Sequence, residues 1–173
     1  MWWRTKNGKG NGDDEAVSAG VDAAGNVFVT GFSDEDVTQN DIRIIKYDPN
    51  GVVLWDTLWD SPVSLDDEPV DLKIDVNGNC FIGGMARPDT FTGSRDYITM
   101  KYDPTGILLW SQQYSNPIAL NGKDEISGLT LDSLDNVTVT GRSFNGTDDD
   151  FVTIKYDGIL GTQTWLRTYN GGG

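Results

Sequence analysis

The sequence contains no histidine and a single cysteine, Cys80, among its 173 residues. Without histidine the chain lacks the side chain most used as a general base near neutral pH and the commonest nitrogen ligand of zinc. Its serines have no imidazole partner, and one cysteine cannot close an intramolecular disulfide. Basic residues are scarce: 13 Lys and Arg stand against 27 Asp and Glu, a formal charge of −14. Nucleic acids and anionic bilayers are bound through basic faces, so neither is an expected partner. No run approaches the ~18 apolar residues of a spanning helix, so membrane insertion is not expected. No segment of useful length carries helical periodicity, and the opening Met1-Trp-Trp-Arg-Thr-Lys-Asn-Gly lacks the apolar core of a secretion signal. If the natural protein is secreted, that signal is expected outside this stretch.

What the chain has is repetition. KYDPNGVVLW at Lys46–Trp55, KYDPTGILLW at Lys101–Trp110 and KYDGILGTQTW at Lys155–Trp165 are near copies. Each reads as a β-hairpin, with strand-forming residues on both sides of a turn. Asp48-Pro49-Asn50-Gly51 and Asp103-Pro104-Thr105-Gly106 have the form of type I turns closed by a glycine in the left-handed region, so Gly51 and Gly106 are expected at positive φ. The third copy is one residue longer and lacks proline, so its turn should differ while its strands survive.

A second shared hairpin precedes each copy. It runs from an Asp-Glu pair (Asp14-Glu15, Asp67-Glu68, Asp124-Glu125) through a turn aspartate (Asp22, Asp75, Asp132) to a strand ending near Gly31, Gly84 and Gly141. Four short strands per unit of about 55 residues predict an all-β chain of three four-stranded antiparallel repeats, the form of β-propeller blades. The division is 1–12 as a leading outer-strand segment and linker, 13–60 as blade 1, 61–115 as blade 2 and 116–173 as blade 3. Apolar residues at both parities of a strand (Tyr97, Ile98 and Met100; Phe151, Val152 and Ile154) fit sheets packed on both faces.

The run Asp-x-x-Gly-Asn-Val-Phe-Val-Thr-Gly, then Asp-Tyr-Ile-Thr-Met-Lys-Tyr-Asp, then Gly-x-x-x-Trp resembles the SBBP-type β-propeller repeats of bacterial cell-surface and secreted proteins. The resemblance covers essentially the whole chain. It implies propeller blades and an extracellular or cell-surface setting. It implies no reaction, because such repeats share no catalytic residues.

The recurring residues are assigned structural roles. Trp55, Trp110 and Trp165 share one register and are expected to be largely buried. Lys46, Lys101 and Lys155 are expected to meet the Asp-Glu carboxylates, which recur in every unit and so do not form one asymmetric catalytic site. Cys80 stands where the other units have Val27 and Val137, the place of a small packed hydrophobe. The loops Asp34-Glu35-Asp36 and Asp148-Asp149-Asp150 offer hard oxygen ligands, making Asp34, Asp36, Asp148 and Asp150 candidate Ca2+ ligands. Neither loop has the spacing of a twelve-residue calcium loop, and runs of aspartate are commonly solvated turns.

Three blades fall short of the roughly 4–8 of closed propellers. The chain is therefore expected to assemble with itself, as a closed dimer or a head-to-tail filament, or to be completed by blades of a longer chain. Trp2-Trp-Arg-Thr-Lys-Asn-Gly8 resembles Trp165-Leu-Arg-Thr-Tyr-Asn-Gly171, which makes Trp2, Trp3, Arg4 and Lys6 the candidate interface. The expected role is a non-enzymatic structural module needing no cofactor. The alternative is a glycan- or protein-binding propeller that uses its variable loops, with Trp59 and its counterparts Tyr114 and Tyr169 available to stack on a sugar.

Overall fold

The computed structural model describes residues 1–10, 12–35, 39–87, 94–119 and 122–171. Among these there are twelve strands and no helix. Sheet 1 holds β1 (Glu15–Val21), β2 (Val27–Asp34), β3 (Asn40–Tyr47) and β4 (Val53–Trp59). Sheet 2 holds β5 (Glu68–Ile74), β6 (Cys80–Ala86), β7 (Asp96–Tyr102) and β8 (Leu108–Tyr114). Sheet 3 holds β9 (Asp124–Leu131), β10 (Val137–Phe144), β11 (Asp149–Tyr156) and β12 (Gln163–Tyr169). Within each sheet the strands lie in chain order and pair antiparallel.

Aspartate fixes the turns. Asp48 Oδ1 accepts the amides of Asn50 and Val52, and Asp103 Oδ1 those of Thr105 and Ile107, while the amides of Gly51 and Gly106 donate to Asp48 O and Asp103 O. The glycines then turn left-handed, at φ 78° for Gly51 and 90° for Gly106, as the turn type requires. In the first hairpins Asp22, Asp75 and Asp132 act alike, and each also holds an asparagine side chain (Asn26, Asn79, Asn136). Asp135 stands at φ 60° where Gly25 and Gly78 stand at 82°, a conformation aspartate tolerates better than most residues. In the longer third turn Gly161, at φ 71°, donates across five residues to Asp157 O, and β11 and β12 still pair.

The core consists of two layers, one between each pair of consecutive sheets. Phe28, Ile42 and Ile44 of sheet 1 meet Leu72, Cys80, Ile82, Ile98, Met100 and Tyr102 of sheet 2. On the opposite face of sheet 2, Phe81, Tyr97 and Trp110 meet Ile126, Leu129, Val137, Val139, Val152, Ile154 and Tyr156 of sheet 3. Sheet 2 is thus buried on both sides, and every residue of β7 is buried. The sheets come together most closely through their first strands, β1 against β5 and β5 against β9. There Ser18 Oγ lies 3.2 Å from Asp71 Oδ1, and Gly20 leaves room for Leu72 and Ile74.

A Cβ on Gly106 would lie 2.9 Å from the Trp55 indole, and its φ is hostile to β-branched residues. Gly106→Val is expected to lower stability by about 1–3 kcal/mol or more in denaturant unfolding. Gly128→Ala, in β9, where a Cβ meets open space, is expected to be neutral or slightly stabilising in the same measurement.

Candidate functional site

The functional feature most repeated in the molecule is a contact between sheets. Lys46 of β3 pairs in register with Trp55 of β4, as Lys101 does with Trp110 and Lys155 with Trp165. Lys46 Nζ and Trp55 Nε1 both donate to Pro104 O, the turn carbonyl of sheet 2, at 3.2 and 3.0 Å. Lys101 Nζ and Trp110 Nε1 both donate to Gly158 O of sheet 3, at 2.6 and 3.4 Å. Each indole lies flat over the turn glycine of the next sheet: Trp55 over Gly106, Trp110 over Gly161. Behind it the ammonium sits over a phenyl ring, Lys46 at 4.6 Å from the Phe28 centroid and Lys101 at 4.7 Å from that of Phe81. We call this arrangement the latch.

Both lysines are buried, and neither meets an Asp-Glu pair. Lys46 stands 3.5 Å from Asp22, the hairpin-turn aspartate, and Lys155 donates to Asp132 at 2.6 Å. The expected pairing is therefore corrected. Glu15 pairs with Phe32 at the far end of β2, whereas Lys46 pairs with Phe28, four residues away, or about 13 Å along a strand.

The first member of each Asp-Glu pair instead holds the chain between sheets. Asp14 accepts the amides of Gly8 and Asp34, and Asp67 those of Ser61 and Arg87. Asp124 accepts the amide of Asn116. The glutamates pair outward, Glu68 with Arg95 and Glu125 with Arg142. At the junction of sheets 1 and 2, oxygens of Asp41, Asp60 and Asp67 lie within 4.8 Å of one another. Burial pushes the Asp67 carboxyl up to about 7, so this junction takes up a proton as pH falls through that value.

The candidate calcium residues fall at two places, Asp34 at the end of β2 and Asp148 with Asp150 at the start of β11. Gly10 donates to the backbone carbonyl of Asp34, while Asp148 accepts from Asn145 and Asp150 is buried. Asp36 lies outside the described residues. Cys80 is fully buried, and burial pushes its thiol up to about 12.

The two outer sheets differ from this pattern at their free faces. On sheet 3, Thr138 occupies the place of Phe28 and Phe81, Thr140 that of Thr30 and Gly83, and Arg142 that of Phe32 and Met85. Lys155 and Trp165 persist, but among the described residues no turn lies over Trp165. Phe151 and Tyr169 are exposed there and stack at 6.3 Å. Of the three register-matched tryptophans only Trp110 is buried; Trp55 and Trp165 are half-buried. The expectation of burial for all three is corrected: Trp110 is buried under the turn of sheet 3, whereas Trp55, under the corresponding turn of sheet 2, and Trp165, over which no described turn lies, stay half-buried.

On sheet 1 the free face carries Val27, Val29, Ile45 and Tyr47 and is overlaid by the N-terminal segment, with a cavity of about 430 Å3 between them. Trp2 lies over Gly51, donates from Nε1 to Pro49 O at 3.1 Å, and has its ring 5.5 Å from that of Tyr47. Lys6 pairs with Asp56 at 3.1 Å, and Arg4 turns back onto Trp3 O. Trp3 is exposed. The segment suggested by sequence for contact with another copy thus lies against its own first sheet, without joining it as a strand. The equivalence of Trp2 to the latch tryptophans was visible in the repeat; its docking in cis had no sequence signal.

No family model and no curated protein matches this chain.

Trp110→Ala is expected to cost about 3–5 kcal/mol, as for a buried aromatic ring, and Trp165→Ala distinctly less, measured by chemical denaturation. A second expectation concerns pH. Asp67 binds its proton more tightly folded than unfolded (about 7 against 3.8), so stability falls as pH rises through that interval. Asp48 and Asp157, held low by backbone amides of Val52 and Leu160, and Asp132, held low by Lys155, contribute stability that is lost as pH drops below their unfolded value. Thermal unfolding should therefore show a mildly acidic optimum, and Asp67→Asn should flatten the alkaline side whatever it costs overall.

Proposed function

We propose that the chain is a non-enzymatic structural module of propeller-type blades whose role is assembly, with copies of itself or with further blades. One observation carries this reading: the latch joins consecutive sheets by the same atoms twice, and the third sheet holds its two donors in register with no turn among the described residues to receive them. Face-to-face sheets that converge on their first strands support the blade geometry. Two outer faces that no further sheet covers among the described residues, one of them overlaid only by the N-terminal segment, support completion by other sheets. The extracellular setting rests on the resemblance to SBBP repeats.

Sedimentation equilibrium tests the assembly role. Mass above that of the 19.0 kDa monomer is expected as protein concentration approaches about 1 mM, and a monomer throughout would overturn assembly with copies of itself.

A second reading has its own observation. The exposed Phe151–Tyr169 pair beside Arg167, set among threonines, is the kind of surface that stacks on a sugar ring. A glycan-array signal abolished by Tyr169→Ala, with no change in sedimentation, would favour this binding role over assembly.

A further inference from the structure

The turn of sheet 1 is filled by a substitute. In the two junctions between sheets, the turn carbonyl accepts from a tryptophan and a lysine of the preceding sheet. Pro49 O is the same carbonyl in sheet 1, and Trp2 supplies its tryptophan bond. Among the described residues no lysine supplies the second. Trp2 comes from a segment that copies β12 in sequence, Trp2-Trp-Arg-Thr against Trp165-Leu-Arg-Thr. One local contact is shared as well: Arg4 Nη1 donates to Trp3 O at 2.9 Å, and Arg167 Nη1 donates to Leu166 O at 2.7 Å.

Resting on the assembly reading, we propose that the N-terminal segment is a built-in placeholder for sheet 3 of a second copy. Trp165 and Lys155 of that copy replace Trp2 over Gly51 and complete the latch at Pro49 O. The exchange is close to balanced. The incoming sheet adds the lysine bond that the placeholder lacks, and it covers Val27, Val29, Ile45 and Tyr47 more fully than one short segment does. Against this, the placeholder is tethered, and a tethered competitor acts at an effective concentration on the order of millimolar. Threonine in place of phenylalanine at 138 further weakens the incoming face. The segment therefore holds the chain as a monomer at low concentration and yields as concentration rises.

Sedimentation velocity of the full chain, Trp2→Ala, Trp165→Ala and the double variant decides the matter. Trp2→Ala is expected to associate at a concentration at least about tenfold lower than the parent chain. Trp165→Ala, whose side chain lies under no turn, is expected to stay folded and monomeric, and to abolish association when combined with Trp2→Ala. Association equal in parent and Trp2→Ala would overturn the placeholder while leaving the assembly role intact. Association that survives the loss of Trp165 would place the contact elsewhere and overturn the proposal. No association by any variant would remove the assembly reading itself. If Trp2→Ala proves poorly folded by thermal melting, the parent against Trp165→Ala at high protein concentration carries the test alone.

Discussion

The seating of an indole over a turn glycine is the contact on which the rest of the structure depends. Glycine is required at Gly51, Gly106 and Gly161 because each turn closes at positive φ. The same missing Cβ leaves a seat for an indole, which Trp2 takes over Gly51, Trp55 over Gly106 and Trp110 over Gly161. Inside the turn the amide of Gly106 is spent on Asp103 O, which leaves Pro104 O pointing outward as an acceptor. A carbonyl covered by an indole and left without a donor would be costly, so the latch carries two, one of them charged. A local backbone rule and a contact between sheets therefore meet in one residue.

The acidic character of the chain has a structural explanation in the same turns. Asp22, Asp75 and Asp132 close the first hairpins, Asp48, Asp103 and Asp157 the second, Asp67 and Asp124 tie down the segments that lead from one sheet to the next, and Asp14 ties down the segment that leads into sheet 1. In each case a carboxylate accepts backbone amides that have no partner in a ladder. Exposed members of this group keep their charge easily, since amide donors favour the ionised form. Asp67 does the same work where water is excluded, beside Asp60, and the result is a carboxyl that keeps its proton far above the usual range. One motif thus gives opposite pH behaviour according to depth.

Turn chemistry is local, and that is why the hairpins, the positive φ of Gly51 and Gly106 and the common register of the three tryptophans were legible in the sequence. Asp-Pro-x-Gly specifies its own geometry within four residues. The partner of Lys46 was not legible. It depends on which end of β1 lies beside the turn and on a carbonyl 58 positions away in another sheet. Trp55 and Trp110 likewise follow near-identical turns, Asp-Pro-Asn-Gly and Asp-Pro-Thr-Gly, and differ in burial, because burial belongs to the neighbour as well as to the strand. Thr138 is informative only once its register with Lys155 identifies it as the counterpart of Phe28 and Phe81.

Side-chain volume explains why the sheets converge. Along the first strands small residues of β1 face the larger ones of β5, Gly20 against Leu72 and Ile74 and Ser18 against Asp71. Along the third and fourth strands the same gap holds Trp55 and Trp59, or Trp110, Tyr97 and Tyr114. A gap narrow on one side and wide on the other is a wedge, and equal wedges turn about an axis near their narrow edge. The latch adds a direction, since each sheet gives donors on one face and receives on the other. A latch between sheets can therefore extend only from the donor face of one to the turn of the next. In the assembly proposed above, closure into a ring or growth as a filament would be decided by the wedge angle, hence by the volumes of Trp55, Trp59 and Trp110, and not by the latch.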